Sequence, residues 1–159
     1  MIVLRPMRDG EYAAYLDYFI PDYAVEIASN YGLSADQSLA QAKREIADDL
    51  PDGVHTSGQS LLCLVEPAAD PEAVIGYLWY KPDAAMRAVF INDFHILPAY
   101  QGKGLGKQAL AVLENELKRQ GFAEIRLRVA EDNSRARHVY EGTGFRVTGI
   151  NMSKSLASK

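Results

Sequence analysis

The glycine-rich stretch from Leu97 to Gln108, with the sequence LPAYQGKGLGKQ, constrains this chain most strongly. An apolar run ends at Ile96 and Leu97, and a helical pattern begins at Leu105, so the sequence predicts a strand, a turn and a helix in direct succession. The first backbone N–H groups of a helix have no intrahelical partner. Glycines let such a backbone approach an anion closely. The stretch therefore predicts a site for phosphate groups.

Length and charge narrow the class of protein. The 159 residues suit one domain with a sizeable core. No apolar run approaches the roughly 18 residues of a membrane span, and no signal peptide is apparent, so we expect a cytoplasmic protein without membrane contact. Residues 1–58 hold ten acidic and four basic side chains, which argues against nucleic acid as a partner. The remainder has a net charge of +2, which suits an anionic cofactor.

The hydrophobic patterns predict a mixed α/β (α+β) fold with about six strands flanked by helices. Strands are predicted at 1–7, 60–65, 73–80, 87–97, 124–130 and 145–152, and helices at 11–31, 34–50, 105–120 and 133–143. The central strands favour antiparallel hairpins, and the helix at 105–120 predicts a right-handed crossover to a parallel strand. Pro21 is expected to kink or break the first helix, Gly32 to end it, and Ser34 to cap the next.

Two well-known phosphate motifs fail on the glycine-rich stretch. A P-loop aligned on Gly106 and Lys107 has Gln101 at its first glycine and Gln108 at the Ser/Thr that holds Mg²⁺. A dinucleotide fingerprint fits only from Gly104, inside the predicted helix. Nucleotide hydrolysis is therefore disfavoured. The single cysteine, Cys63, is interpreted as a buried core residue, and no metal site is expected near it.

The pattern that fits is [Arg/Gln]-x-x-G-x-[Gly/Ala], met by Gln101, Gly104 and Gly106. With it, the chain resembles the GNAT superfamily of acyl-CoA-dependent N-acyltransferases. The segment from Asn133 to Phe145 is similar to the family's N-x-x-A-x-x-x-Y-E-x-x-G-F pattern. The resemblance implies one GNAT-like domain over 1–159, with a CoA-binding core at 59–156 and acceptor-side helices within 1–58.

The resemblance also implies roles on the donor side. The turn would hold the CoA pyrophosphate through the backbone of Gln101, Gly102, Lys103, Gly104, Leu105, Gly106 and Lys107. Ile96 and Leu97 would pair with the pantetheine amides, which requires the strands at 94–97 and 127–131 to splay apart. Asn133 would hydrogen-bond the pantetheine arm, and a plain helix N-cap is the alternative role for this residue. Acetyl-CoA is the expected co-substrate, without a metal.

Direct acyl transfer to an amine needs a neutral amine, a stabilised oxyanion and a protonated leaving thiolate. Tyr140, in the family-like segment, is the predicted acid for the thiolate, and a packed core tyrosine is the alternative. Asp93 is the preferred base, because a carboxylate also attracts an ammonium. His95 lies on the same strand face, so His95, a water chain or a purely structural role for both residues stays open. A bulge would change which of them faces the site.

The acceptor side is less determined. The first helices carry acidic residues among aromatic ones, namely Tyr12, Tyr15, Tyr18, Phe19, Tyr23 and Tyr31. Such a wall suits a cationic amine, although these tyrosines are equally compatible with packing onto the sheet. We expect an N-acetyltransferase that acts on a primary amine of a small molecule or peptide. A non-catalytic acyl-CoA-binding regulatory module is the alternative, and a homodimer is compatible with the sequence.

Overall fold

The computed structural model describes residues 1–68, 72–130 and 132–156, which fall into two compact units, 1–128 and 129–159. The first unit contains β1 (Val3–Pro6), α1 (Tyr12–Tyr31), α2 (Ala35–Asp49), β2 (Ser60–Glu66), β3 (Ala73–Asp83), β4 (Ala88–Ile96), α3 (Leu105–Arg119) and β5 (Glu124–Leu127). The second unit contains α4 (Ser134–Gly142). None of the helices in the described residues is long and apolar enough to cross a bilayer.

The sheet of the first unit is mixed and mostly antiparallel, as predicted. Its five strands lie in the order β1-β2-β3-β4-β5. The first three pairings are antiparallel, and β4 pairs with β5 in parallel from Ala88–Glu124 to Ile91–Leu127. Helix α3 connects these two strands, which confirms the predicted parallel pair.

The prediction of a sixth strand at 145–152 was wrong for the described residues, which have no regular secondary structure there. Val147, Ile150 and Met152 are all exposed, so this segment buries no apolar face. A strand pattern that buries nothing lacks the packing that stabilises strands in sheets. The sheet therefore has five strands rather than about six, and β5 ends at Leu127, three residues before the predicted end.

Helix α1 is continuous through Pro21, so of the two outcomes expected there, a kink or a break, the break does not occur. Buried side chains anchor the helix on both sides of the proline, namely Tyr15, Phe19, Ala24 and Ile27. Their packing offsets the one backbone donor that proline removes. The helix ends at Gly32 with φ 66°, and the Ser34 hydroxyl accepts from Gln37 N–H at 3.1 Å, which confirms both predicted caps.

The two faces of the sheet carry different helices. Helix α1 packs on the face that presents Cys63, Tyr77 and Trp79, where a core cluster forms around Tyr15 and Phe19. The buried Cys63 confirms the packing role that the sequence predicted. Helix α3 lies near the end of β4, where a Cβ placed on Gly106 would be 4.0 Å from Ile96 Cγ1.

Candidate active site

The glycine-rich stretch forms the predicted turn between β4 and α3. A short 3₁₀ turn (Pro98–Tyr100) follows the strand, and Gly102 and Gly104 adopt φ of 78° and 77°, a region that favours glycine. The first backbone hydrogen bond of α3 runs from Gln108 N–H to the Gly104 carbonyl at 3.3 Å. The N–H groups of the preceding helical residues, Leu105 to Lys107, therefore have no acceptor within the helix.

Gln101 ties this turn to the end of β4. Its side-chain Nε2 donates to the Ile96 carbonyl at 2.8 Å. Leu97 N–H donates across to the Ile75 carbonyl on β3 at 2.8 Å. Because backbone groups alternate in direction along a strand, those of Ile96 point to the other side of β4, away from β3.

The edge of β4 on that other side loses its strand partner early. Pairing with β5 ends at Ile91–Leu127, whereas β4 continues to Ile96. Within the described part of the first unit, no strand pairs with this edge of β4 beyond Ile91. The pairing of β4 with β5 thus ends three residues before residue 94, where the predicted splay of β4 begins.

Asp93 lies on the α1 face of β4, where two phenols hold its carboxylate. Tyr15 Oη donates to Oδ2 at 2.9 Å, and Tyr18 Oη donates to Oδ1 at 3.1 Å. Burial raises the pKa of Asp93 to about 7, against the lowering effect of the two phenol hydrogen bonds, and the nearby Asp22 carboxylate raises it further. Among the described residues, no Lys, Arg or His forms an ion pair with Asp93.

His95 accompanies Asp93 on the same face, as the strand alternation predicts. Its ring stacks on Tyr18 with centroids 3.8 Å apart and planes 12° apart. Burial lowers the pKa of His95, which favours the neutral imidazole. A bulge does occur in β4, at Asn92, because Trp79 pairs with Asp93 while the next residue of β3 pairs with Ile91. It precedes both site residues and so leaves them on one face.

A close approach of β3 holds this part of β4 in place. Gly76 pairs with Ile96, and a Cβ placed on Gly76 would lie 2.2 Å from the His95 carbonyl oxygen. Real Cβ atoms do not approach a backbone oxygen so closely, so only glycine fits at this position without a shift of the strand.

The sequence did not predict the hydrogen bonds of Tyr15 and Tyr18 to Asp93. The available signal was their i, i+3 spacing, which places both on one helix face. That spacing alone does not say which of the strand side chains they meet. From the sequence, Tyr15 and Tyr18 were expected either to line the acceptor site or to pack onto the sheet. A third role, the donation of hydrogen bonds to a carboxylate, was not predicted.

The second unit contains the remaining predicted site residues. Asn133 Oδ1 accepts from Ala136 N–H at 3.1 Å, so Asn133 caps α4, the alternative role considered for it. Tyr140 is half-buried, and its ring meets Phe145 edge-on with centroids 5.4 Å apart. Its predicted role as an acid stays a prediction.

Comparison with known proteins identifies the family. The model of the Acetyltransferase (GNAT) family matches residues 33–145. The chain belongs to this family. It is 36% identical over 158 residues to the uncharacterized N-acetyltransferase YycN of Bacillus subtilis (strain 168), a match that spans 98% of this chain and 99% of YycN. The crystal structure of YycN superposes with a TM-score of 0.90 at 33% identity, over 99% of this chain and all of that one.

More distant GNAT structures share the fold. The PaiA N-acetyltransferase of Thermoplasma acidophilum, solved with coenzyme A, has a TM-score of 0.72 at 21% identity and covers 95% of this chain and 93% of its own. The spermidine N-acetyltransferase of Vibrio cholerae, solved with CoA and spermine, has a TM-score of 0.65 at 21% identity, with coverages of 93% and 82%. The family match and the relative YycN show that this GNAT chain is an acetyltransferase.

Proposed function

We propose that this GNAT acetyltransferase transfers an acetyl group from acetyl-CoA directly to a primary amine of a small molecule or peptide, with Asp93 as the base. The observation that carries the proposal is the environment of Asp93: a partly buried carboxylate, held by two phenols, with a pKa of about 7. A general base acts best when its pKa lies near the working pH. A surface carboxylate, ionised far below that pH, is a much weaker base.

The turn before α3 has the chemistry that a pyrophosphate requires. The backbone N–H groups from Gly102 to Lys107 are the proposed donors, and hydrogen bonds to a charged group contribute about 1.5–3 kcal/mol each. The positive φ angles of Gly102 and Gly104 shape the loop that presents them. Lys103 and Lys107 add little, because exposed charges are screened. Gln101 supports the loop through its bond to Ile96.

The edge of β4 suits the pantetheine arm of the co-substrate. Beyond Ile91 this edge has no strand partner in the first unit, and an amide-bearing chain can add to such an edge by main-chain hydrogen bonds. Ile96 and Leu97, at its end, are the proposed partners, and Asn133 is a further one. The Leu97 N–H is already engaged by Ile75 and the Ile96 carbonyl by Gln101, so the Ile96 N–H is the stronger candidate donor.

The proposed chemistry uses two proton transfers. The acceptor amine attacks in its neutral form, after its ammonium proton has left to solvent; it forms the C–N bond and loses a second proton to the Asp93 carboxylate. The C–S bond breaks, and the leaving thiolate takes a proton from the Tyr140 phenol. The neutral His95 beside Asp93 adds no positive charge that would repel a cationic amine. Asp22, whose charge raises the pKa of both Asp93 and His95, favours such an amine.

A cationic amine acceptor has support from a fold neighbour. The spermidine N-acetyltransferase of Vibrio cholerae, which shares the fold, was solved with the polyamine spermine. The half-buried ring of Tyr18 stacks on His95 and lies beside the proposed base, so an amine that reaches Asp93 would pass close to aromatic side chains.

The test is turnover of acetyl-CoA with a panel of spermidine, an aminoglycoside and a lysine-containing peptide, followed by free-thiol detection. Asp93→Asn should lower kcat by about 10²–10⁴-fold, while acetyl-CoA still raises the melting temperature of the variant. Asp17→Asn, an exposed position on α1, is the matched control. Tyr140→Phe should lower kcat without weakening acetyl-CoA binding, and an unchanged rate would remove Tyr140 from the mechanism.

Two outcomes would refute the proposal. Full activity in Asp93→Asn would exclude Asp93 as the base. A thermal shift with acetyl-CoA but no thiol release with any amine would favour the non-catalytic acyl-CoA-binding module instead.

A further inference from the structure

The carboxylate of Asp93 receives one phenol hydrogen bond on each oxygen, and both donors come from α1. Tyr15 is completely buried, with its ring 5.6 Å from that of Phe19 and 5.1 Å from that of Tyr77. Tyr18 is half-buried and stacks on His95. Ring packing on several sides therefore fixes the direction in which each O–H points.

We propose that Tyr15 and Tyr18 are positioning residues for the reaction: together they hold the Asp93 carboxylate in one orientation and stabilise its anion. The proposal rests on the proposed function of Asp93 as the base. It makes α1 part of the proton-transfer site, whereas the sequence placed this helix only on the acceptor side.

Phenols suit this task because they donate hydrogen bonds without positive charge. An Arg or Lys in their place would hold the pKa of Asp93 far below neutrality and would repel a cationic acceptor. Burial alone would leave the carboxyl protonated at neutral pH. Burial raises the pKa of Asp93 and the phenol hydrogen bonds lower it, and the result is a pKa of about 7.

The phenols also leave room for the substrate. An ionised carboxylate oxygen has two acceptor positions, and each Asp93 oxygen uses one for a tyrosine. The Phe94 N–H also forms a hydrogen bond to this carboxylate, so of its four acceptor positions one remains to receive the amine proton. Other titratable groups lie around these three residues. Asp22 of α1 raises the pKa of Asp93, His95 stacks on Tyr18 from the same face of β4, and the ring of Tyr77 on β3 contacts those of Tyr15 and Tyr18.

The decisive variant is Tyr18→Phe, which keeps the ring stack and removes only the O–H. Because the lost bond stabilised the anion, the acid limb of kcat/KM against pH should move upward by about one unit. Tyr15→Phe should shift it in the same direction. Tyr23→Phe is the matched control: this phenol also binds a carboxylate, Glu45 at 3.0 Å, so the acid limb should stay in place.

A second readout does not depend on activity. In protein labelled with ¹³C-carboxyl aspartate, the signal that disappears in Asp93→Asn should titrate near neutrality, and Tyr18→Phe should move its midpoint upward. If the midpoint moves but no amine is acetylated by the wild type, the proposed function fails while the stabilisation of the anion stands.

Two results would overturn the inference itself. One is an active wild type whose acid limb and carboxyl midpoint are both unchanged in Tyr18→Phe and Tyr15→Phe. The other is a midpoint that moves while the acid limb stays in place, because Asp93 would then not be the group that limits the reaction.

Discussion

Two carboxylates, Glu11 at the N-cap of α1 and Asp93 on β4, accept hydrogen bonds of nearly equal length, yet their pKa values shift in opposite directions. Glu11 accepts from the Arg5 guanidinium at 2.8 and 2.9 Å and from Arg8 N–H at 2.8 Å, and its pKa falls to about 2, chiefly because of the Arg5 hydrogen bond. Asp93 accepts from two phenols at 2.9 and 3.1 Å, and burial raises its pKa to about 7.

Hydrogen-bond length does not explain why the two pKa values differ. The charge of the donor and the burial of the carboxylate explain it. A bidentate guanidinium compensates for the lost hydration of Glu11 with an opposite charge. The phenols of Asp93 compensate only in part. The Glu11 pair therefore serves to fasten β1 to the start of α1, whereas Asp93 retains a proton affinity that a reaction can use.

The largest expected loss of stability is that of Gly76→Ala. This change should disturb the strand that carries Asp93 and leave the Arg5–Glu11 pair intact. The new Cβ would lie 2.2 Å from the His95 carbonyl oxygen, so β4 must shift, at a cost of about 3 kcal/mol. Urea unfolding measures this loss. Gly10→Ala, whose Cβ would meet nothing within 4 Å, is the control, and equal stabilities of the two variants would contradict the close approach.

Arg5→Met should remove the ion pair with Glu11, the second carboxylate of the comparison. It leaves Glu11 without its cation, in a pair whose side chains are only 15% and 24% exposed, and should cost about 2 kcal/mol at pH 7. Because the folded pKa of Glu11 is lowered to about 2, the stabilisation is present above its unfolded value of 4.5 and is lost as the pH falls through about 2.

Urea unfolding of Arg5→Met and wild type at pH 7, 4 and 2.5 measures that trend. The more exposed Arg8, 3.5 Å from Glu72, offers the control Arg8→Met, with a change of less than about 0.5 kcal/mol. A loss in Arg5→Met that is the same at all three pH values would indicate lost packing rather than lost charge.

Asp93→Asn should sharpen the comparison through the opposite pH trend. The folded pKa of Asp93 is raised, so its contribution to stability is present below about 3.8 and is lost as the pH rises through about 7. The asparagine variant should therefore gain on the wild type by about 2–3 kcal/mol between pH 5 and pH 8. Thermal melts at both pH values measure the difference, and a constant difference would contradict the raised pKa.

The smallest effect is expected for the exposed pair of His55 and Asp9. Nε2 and Oδ1 are 2.7 Å apart, but the side chains are 72% and 77% exposed. Solvent screens such a pair, so His55→Ala should change stability by less than about 0.5 kcal/mol in urea unfolding. A loss as large as that of Arg5→Met would mean that distance, and not burial, sets the strength of these pairs.

Local rules account for the parts of the fold that the sequence predicted well. The caps at Gly32 and Ser34 follow from backbone conformation and one short-range hydrogen bond. The strand predicted at 145–152 was wrong, and a break, one of the two outcomes expected at Pro21, does not occur; both results depended on packing. Buried neighbours hold α1 together across the proline, and exposed apolar side chains leave the last segment without a strand.

The sequence by itself determined the turn from Gln101 to Lys107, because its glycines, its preceding strand and its following helix are all encoded within a dozen neighbouring residues. It also determined that Asp93 and His95 share a face, since alternation is a property of one strand. Only the tertiary structure decided the hydrogen bonding and the desolvation of the Asp93 carboxylate. Its two phenols come from positions 75 and 78 residues away in the chain, and desolvation depends on everything packed around a group rather than on its neighbours in sequence.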